Sequence, residues 1–366
     1  MLKVYWTYPR LGEEEKKAVS EVMEKGWLTQ GKITQAFEEE ISKYIGCKYT
    51  TIVNSGTSGL ITALWAHGVK HRDLVAVPSY TYISSAYSIT ATGGIPKLLD
   101  CNKQTFNVEP PKEPLKKVKG AIIVDVAGMP CDLDGWNQYC KENDMFLIED
   151  ATESFGARYK NRKVGNDEST VVFSFNLTKL LNTIEGGAIC TNDPEIDELC
   201  KLIRRQGQVP AGGEYQHKIF GLNFRLNDLQ SAMGRVQLRK IEEFLRNRNK
   251  VASMYKSLIA EKCPKEMIWW QKQPSYVTLH PYMLFQVICK NRKLRDKILE
   301  HLLKKEVEYK VCWRPVHMQP VYAKTLRGYY PNSEWLYERS FTLPIGNAMP
   351  DELVEYVAES VIEAMQ

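Results

Sequence analysis

Phe173-Ser174-Phe175-Asn176-Leu177-Thr178-Lys179-Leu180-Leu181-Asn182-Thr183-Ile184-Glu185-Gly186-Gly187 carries a single amine just past the end of a short β-prone run. The run Val171-Val172-Phe173 ends in Ser174, Lys179 follows five residues later, and paired glycines precede a second apolar run, Ala188-Ile189-Cys190. That order holds an ammonium group at a strand-to-loop junction, beside a hydroxyl suited to an anion. A lysine placed this way is a candidate Schiff-base former, an activated amine nucleophile. Taken singly it is equally what a solvated surface lysine looks like. The reading turns on what the rest of the chain brings to the same edge.

Around this stretch, short apolar runs alternate with helical patterns. Thr51-Ile52-Val53, Leu74 to Pro78, Ala121 to Val126, Phe146-Leu147-Ile148, Val171 to Phe173 and Ala188 to Cys190 read as strands. Leu133, Trp136 and Cys140 recur at helix spacing, as do Ile196, Leu199, Cys200 and Ile203, with Asp193 as N-cap and Pro194 in the first turn. Alternation of this kind predicts an α/β fold with a mainly parallel sheet covered on both faces. From Leu226 the texture changes. Leu226, Leu229, Met233, Val236, Ile241 and Phe244 predict one long helix. Beyond it, Met283 to Ile288, a helix near Lys293 to Lys305 and a last helix after Pro350 suggest a smaller α+β domain. The expected division is a large domain over 1–245, whose first ~20 residues could pack with the small one, and a small domain over 246–366.

Composition removes several classes of function. A chain of 366 residues with ordinary apolar and charged content buries a large core. The net charge of +5 is spread out, and the densest basic cluster, Arg235 to Lys250, alternates with apolar residues as one solvated helix face. This argues against a nucleic-acid surface and fits a small anionic ligand. No stretch is long and apolar enough to span a membrane, and the N-terminus lacks a signal-peptide core. Nine cysteines without a Cys-x-x-Cys pair fit a reduced, cytoplasmic protein without a metal site.

Ligands of open α/β sheets sit at the carboxyl ends of strands, so the residues after each run matter most. After Val53 comes Asn54-Ser55-Gly56-Thr57-Ser58-Gly59 and an apolar helix, a start that exposes N–H groups and hydroxyls to an anion. It also reads as an ordinary capped helix, and it lacks the spacings of a nucleotide-binding glycine loop. After Pro78, Ser79-Tyr80-Thr81-Tyr82 supplies an aromatic, for stacking on a flat ring or for core packing. Phe146 to Ile148 runs into Glu149-Asp150, with Glu153 close behind. A carboxylate there suits a protonated ring nitrogen, or caps the next helix. An anion cradle, a stacking aromatic, a strand-end acid and a lysine beside a serine are together the parts that hold pyridoxal phosphate.

With these residues the sequence resembles the DegT/DnrJ/EryC1/StrS sugar aminotransferases, of the aspartate-aminotransferase fold (fold type I). The matching motifs run nearly end to end: Gly26 to Gly31, Phe37-Glu38, Ser55 to Ser58, Pro78 to Tyr82, Glu149-Asp150-Ala151, Ser174 to Lys179, Glu185-Gly186-Gly187, Asn223 to Leu226 and Arg314 to His317. The resemblance implies that Lys179 bonds covalently to the cofactor and then moves a proton. It implies that Asp150 pairs with the ring nitrogen, that Tyr82 stacks on the ring, and that Thr57, Ser58 and Ser174 hold the phosphate. Asn223 is expected to reach that phosphate from the other subunit of a homodimer. Trp27, Thr29, Arg314 and His317 are expected on the substrate side. The implied reaction carries an amino group from L-glutamate to a nucleotide-linked keto sugar, with pyridoxamine phosphate formed on the way.

Three departures from the family pattern stand out. Glu153 occupies the position of a usual glutamine or histidine near the cofactor's phenolic oxygen, so its proton is expected to be coupled to the cofactor's titration. Ile184 replaces a glycine before Glu185, with an expected change in the loop. Asp125-Val126-Ala127-Gly128 replaces a histidine-containing version, with an expected change in substrate-side contacts. Leu180-Leu181-Asn182 and Glu185 resemble the members that aminate carbon 4, so a 4-keto-6-deoxy sugar of perosamine type is the expected acceptor. The alternatives are a 3-keto sugar or inosose, or a cofactor-binding regulator or inactive partner. Lys179 and Asp150 speak against an inactive partner. The aminotransferase pattern begins by about Leu11, so no added DNA-binding domain is expected.

Overall fold

The computed structural model describes residues 3–366. Seven strands form its main sheet: β1 (Tyr49–Val53), β2 (Leu74–Pro78), β3 (Ile95–Leu99), β4 (Val118–Val124), β5 (Phe146–Asp150), β6 (Thr170–Ser174) and β7 (Gly187–Thr191). Their order across the sheet is β1-β7-β6-β5-β4-β2-β3. The pairings from β6 through β3 are parallel, and β7 alone runs against its neighbours. The mainly parallel sheet expected from the alternating pattern is present. Buried on both faces, the central strands are mostly apolar up to their carboxyl ends. Ile122, Ile148, Val172 and Ile189 point to one core cluster with Leu60, Leu64 and Ile203 of the covering helices. Val171, Phe173 and Ala188 point the other way, to Phe37, Ile41, Ile241 and Phe244.

Local signals explain the helix starts. Asp193 caps Pro194–Arg204 by accepting from the amides of Glu195 and Ile196, with proline in the first turn, as its sequence predicts. The single long helix expected from Leu226 onward is two. Asp228–Arg239 stops at Lys240, and Ile241–Lys262 begins immediately after it. Apolar spacing continues through the joint because both helices pack on the same core, so periodicity alone does not reveal the break.

Ile241–Lys262 then passes from one core to another. Phe244 and Leu245 lie under the main sheet, whereas Val251, Tyr255 and Ile259 pack on a second, three-stranded antiparallel sheet. That sheet comprises Ile268–Trp270, Phe285–Cys289 and Ser340–Leu343. Helices Arg292–Lys304 and Asp351–Met365 cover it. Residues Val4 to Tyr8 run beside it, through backbone bonds from Val4 to Glu306, Ile345 to Trp6 and Asn347 to Tyr8. Helix Glu13–Lys25 instead packs toward Asp228–Arg239, where Gln237 and Lys240 both reach Glu15.

Candidate active site

The carboxyl ends of β1, β2, β5 and β6 open on one cavity of about 500 Å³. Thr57, Tyr82, Asp150, Glu153, Ser174 and Lys179 all line it, so six of the sequence-predicted residues come together there. Gly187 explains part of the convergence. It pairs with both Val53 and Ser174, and a Cβ on it would come within 2.8 Å of the Ser55 carbonyl and 2.7 Å of that of Phe173. Only a glycine lets the antiparallel strand start between two strands that end.

Helix Gly56–Ala66 begins at the cavity floor. Ser55 caps it, its side chain accepting from the Ser58 amide, while Ser58 Oγ accepts from the Ser55 amide and donates to Asn54 Oδ1 at 2.6 Å. The Ser58 hydroxyl is therefore spent inside the cap, buried and off the cavity. The amides of Gly56 and Thr57 have no acceptor among the described residues, and the positive end of the helix adds to them. Ser174 stands against this start: a Cβ on Gly56 would lie 3.0 Å from that of Ser174. Two free amides, the helix dipole and the hydroxyls of Thr57 and Ser174 make a seat for a phosphate.

Asp150 ends β5 with its side chain almost wholly buried. Ser85 donates to its Oδ2 at 2.7 Å, and the Thr152 amide donates to Oδ1 at 3.3 Å. Burial raises this carboxyl above its ordinary range, and the hydrogen bonds and the Lys179 charge oppose that rise. A buried carboxyl held by donors on one side is poised to take a cation on the other. Lys179 Nζ lies 3.7 Å from Glu153 Oε1. Glu153 is also buried; burial raises it, while the Lys179 charge and the Ala127 amide, 2.8 Å from Oε2, lower it.

The loop around Lys179 is fixed from outside. Gln230 donates to the carbonyls of Thr183 and Glu185 at 3.0 and 2.7 Å. Asn347 donates to the Leu180 carbonyl at 2.8 Å and accepts from the buried Arg248 at 2.7 Å. Ile184 sits in this loop at φ +71°. The backbone keeps a left-handed conformation suited to glycine, and the β-branched side chain takes the strain.

Asp125 does not line the cavity. Beyond the end of β4 it turns under the sheet, fully buried, accepting from the Cys131 amide at 2.9 Å and from Ser154 Oγ at 2.5 Å. Glu149, at the end of β5, has no hydrogen-bond partner on either oxygen among the described residues, and burial first, then the Asp125 charge, push its carboxyl up. Two neighbouring buried carboxyls with no cation between them oppose each other's ionisation, and burial favours the neutral form of both. Burial comes first for both; it moves Asp125 up to about 6 and Glu149 well above 4.5. Both bind protons more tightly when folded, so their stability contribution is full below the ordinary values of 3.8 and 4.5 and is lost as pH rises through the folded ones. Glu149→Gln keeps a donor but cannot ionise. Its melting temperature relative to wild type should climb as pH rises from the ordinary carboxylate range through the raised folded value of Glu149; a difference that stays flat contradicts the raised carboxyl.

The remaining predicted residues lie off this cavity. Trp27 and Thr29 are exposed in the segment before helix Lys32–Ile45, and Asn223 is exposed near Arg205. Arg314 donates to the Met318 carbonyl at 3.1 Å, and His317 bridges Ser79 and Glu334 at 2.7 and 3.1 Å. Trp6, Lys310 and Trp313 line the cavity and were missed. They lie in irregular segments without periodicity, away from the strand ends, although Trp313 directly precedes the Arg314 to His317 motif. Ser85, only three residues beyond Tyr82, was within reach of the strand-end rule.

A family model described as the DegT/DnrJ/EryC1/StrS aminotransferase family matches residues 9–362. The chain is 30% identical over 359 residues to a GDP-perosamine synthase of Escherichia coli O157:H7, covering 97% of this chain and 96% of that one. It is 29% identical to the UDP-4-amino-4,6-dideoxy-N-acetyl-beta-L-altrosamine transaminase of Helicobacter pylori, over 100% and 99% of the two chains. Among solved structures, the Helicobacter pylori aminotransferase PseC, involved in pseudaminic acid biosynthesis, matches with a TM-score of 0.93 at 27% identity, over 99% of each chain. S. venezuelae DesV, solved with a ketimine intermediate, matches with a TM-score of 0.90 at 28% identity, over 96% and 95%.

Proposed function

The chain belongs to the DegT/DnrJ/EryC1/StrS aminotransferase family, and on that premise we propose that it transfers the amino group of L-glutamate to carbon 4 of a nucleotide-linked 4-keto-6-deoxy sugar. Pyridoxal-phosphate-dependent sugar amination is the chemistry of the family; the donor, the acceptor and the residue roles are our reading. One observation carries it: the Lys179 amine and the buried Asp150 carboxyl share a cavity with the free amides of Gly56 and Thr57.

The residues present fit the cofactor. The helix start and the hydroxyls of Thr57 and Ser174 suit its phosphate, Tyr82 suits the face of its ring, and Asp150 suits the ring nitrogen. Bound there, the cofactor supplies an electron sink for the carbon that loses its proton. The chain's own groups do the rest. Asp150, held by Ser85 and Thr152, keeps a facing N–H protonated. Lys179 takes and returns the substrate proton at Nζ, tethered by a loop that Gln230 and Asn347 hold in place. Glu153, 3.7 Å away, sets the charge beside it.

Support for a carbon-4 acceptor comes from Leu180-Leu181-Asn182 and Glu185 after the lysine and from the GDP-perosamine synthases among the relatives. Asn223 supports a homodimer. It is exposed and off its own cavity, close in sequence to the exposed Phe220 and Leu222, as a residue serving the partner's phosphate would be. The test is purified holoenzyme with glutamate against nucleotide-linked 4-keto-6-deoxy sugars, 3-keto sugars and inososes. We expect kcat/KM for a 4-keto sugar to exceed the others by roughly a hundredfold. Turnover confined to a 3-keto sugar or an inosose overturns the assignment.

A further inference from the structure

Five charged side chains line the cavity: Asp150, Glu153, Glu185, Lys179 and Lys310. Acids outnumber bases, yet both substrates of the proposed reaction are anions. Lys179 is engaged with Glu153 and with the chemistry. Glu185 accepts from Asn176 at 2.9 Å. Lys310 makes no ion pair among the described residues. It is the one lining cation left to meet an incoming negative charge.

Its surroundings hold the backbone and leave the ammonium without a hydrogen bond among the described residues. The Lys310 carbonyl accepts from the Thr342 amide at 2.8 Å, in an isolated bridge to the edge of the second sheet. Trp6 is fixed to the same threonine, its Nε1 donating to Thr342 Oγ1 at 2.8 Å. The Lys310 ammonium lies 5.8 Å from the centre of the Trp6 ring, within the range of a cation–π contact. Trp313 stands edge-on to Tyr82 at 5.4 Å. The cavity lining thus includes two indoles and an ammonium, a pairing that takes the flat apolar face of a ligand together with its anionic group.

We propose that Lys310 is the substrate's anion anchor, binding an oxyanion carried a few bonds from the reacting carbon while Trp6 and Trp313 bound the space beside it. The proposal rests on the sugar-aminotransferase reading. The oxyanion has two sources, the side-chain carboxylate of the amino donor and the diphosphate of the sugar nucleotide. The donor and acceptor halves of the reaction, run separately, tell them apart. An anchor used equally in the ground and transition states acts on KM more than on kcat.

The experiment compares holoenzyme carrying Lys310→Ala, Lys310→Glu and Lys310→Arg, with Lys304→Ala as a control on an exposed helix face. KM is read for L-glutamate and for the sugar nucleotide, at low and high salt, with melting temperatures to verify folding. We expect Lys310→Ala to raise KM for at least one substrate by roughly tenfold or more. Lys310→Glu should raise it further, Lys310→Arg should restore most of the affinity, and the salt dependence of that KM should flatten in Lys310→Ala. A rise for the nucleotide alone assigns the anchor to the diphosphate, and a rise for glutamate alone assigns it to the carboxylate. Unchanged KM values for both, in folded Lys310→Ala and Lys310→Glu, overturn the proposal. A wild type that converts no sugar nucleotide would instead defeat the functional reading, and the glutamate half still reports on Lys310.

Discussion

Lys179→Ala should lose turnover by about four orders of magnitude or more, because one side chain supplies both the covalent link and the moving proton. The variant should fold as the parent does. The Lys179 side chain makes one ion pair, the 3.7 Å contact with Glu153, and no hydrogen bond among the described residues. The surrounding loop is held through backbone groups, with the Lys179 amide on the Asn176 carbonyl at 2.8 Å and the Leu180 carbonyl on Asn347. Purified wild type should show a visible absorption band that glutamate bleaches, and Lys179→Ala should lack that response. Lys179→Arg separates charge from chemistry, since a guanidinium stays protonated at any working pH; it should be as inert as the alanine variant. An added small primary amine should recover part of the proton transfer in Lys179→Ala but not in Lys179→Arg. Turnover by Lys179→Ala near the parent rate would end the assignment.

The sheet was legible because strands covered on both faces show as unbroken apolar runs. Six of its seven strands coincide with such runs. The seventh, Ile95–Leu99, contains Pro96 and Lys97 and lies at the sheet edge against β2 alone, where a proline and an exposed charge are tolerated. Composition carried no sign that β7 runs antiparallel; the glycine pair at its start is the nearest trace. The joint at Lys240 was hidden because a residue that keeps helical backbone angles breaks the hydrogen-bond ladder without any proline or glycine to mark it.

For the cavity, the strand-end rule was enough to find Asp150, Ser174, Tyr82 and the helix start at Ser55, since topology forces those ends together. It could not apportion atoms. Ser58 and Thr57 look alike in sequence, yet one hydroxyl closes the cap and the other faces the cavity. Nor could it tell Asp125 from Asp150, both at strand ends, because a difference in register sends one under the sheet and the other over it. Lys310 and Trp6 come from chain segments more than three hundred positions apart that the fold brings side by side, through backbone bonds between Val4 and Glu306 and Glu308 and through Thr342. Pairings of that range leave no local pattern.

Asp150→Asn should keep the fold and lose about three orders of magnitude in kcat, the scale of removing one preorganised charge from a transition state. The amide is the same size and can still accept from Ser85, whose hydroxyl lies 2.7 Å from Oδ2. What goes is the negative charge that holds a facing proton in place. Asp150→Ala should lose as much activity and also some stability, because the buried Ser85 would lose its 2.7 Å acceptor and the Thr152 amide would lose its own. Burial raises the Asp150 carboxyl when the pairing cation is absent, so on the acid side the wild type should bind cofactor less tightly as pH falls through that raised value. Asp150→Asn should bind it weakly with little change across the same range. The measurements are kcat, cofactor affinity against pH and melting temperature for both variants. A purely structural aspartate would lower the melting temperature and leave kcat per folded molecule intact. A fall in kcat without a fall in melting temperature for Asp150→Asn is the signature of a charge that acts on the chemistry.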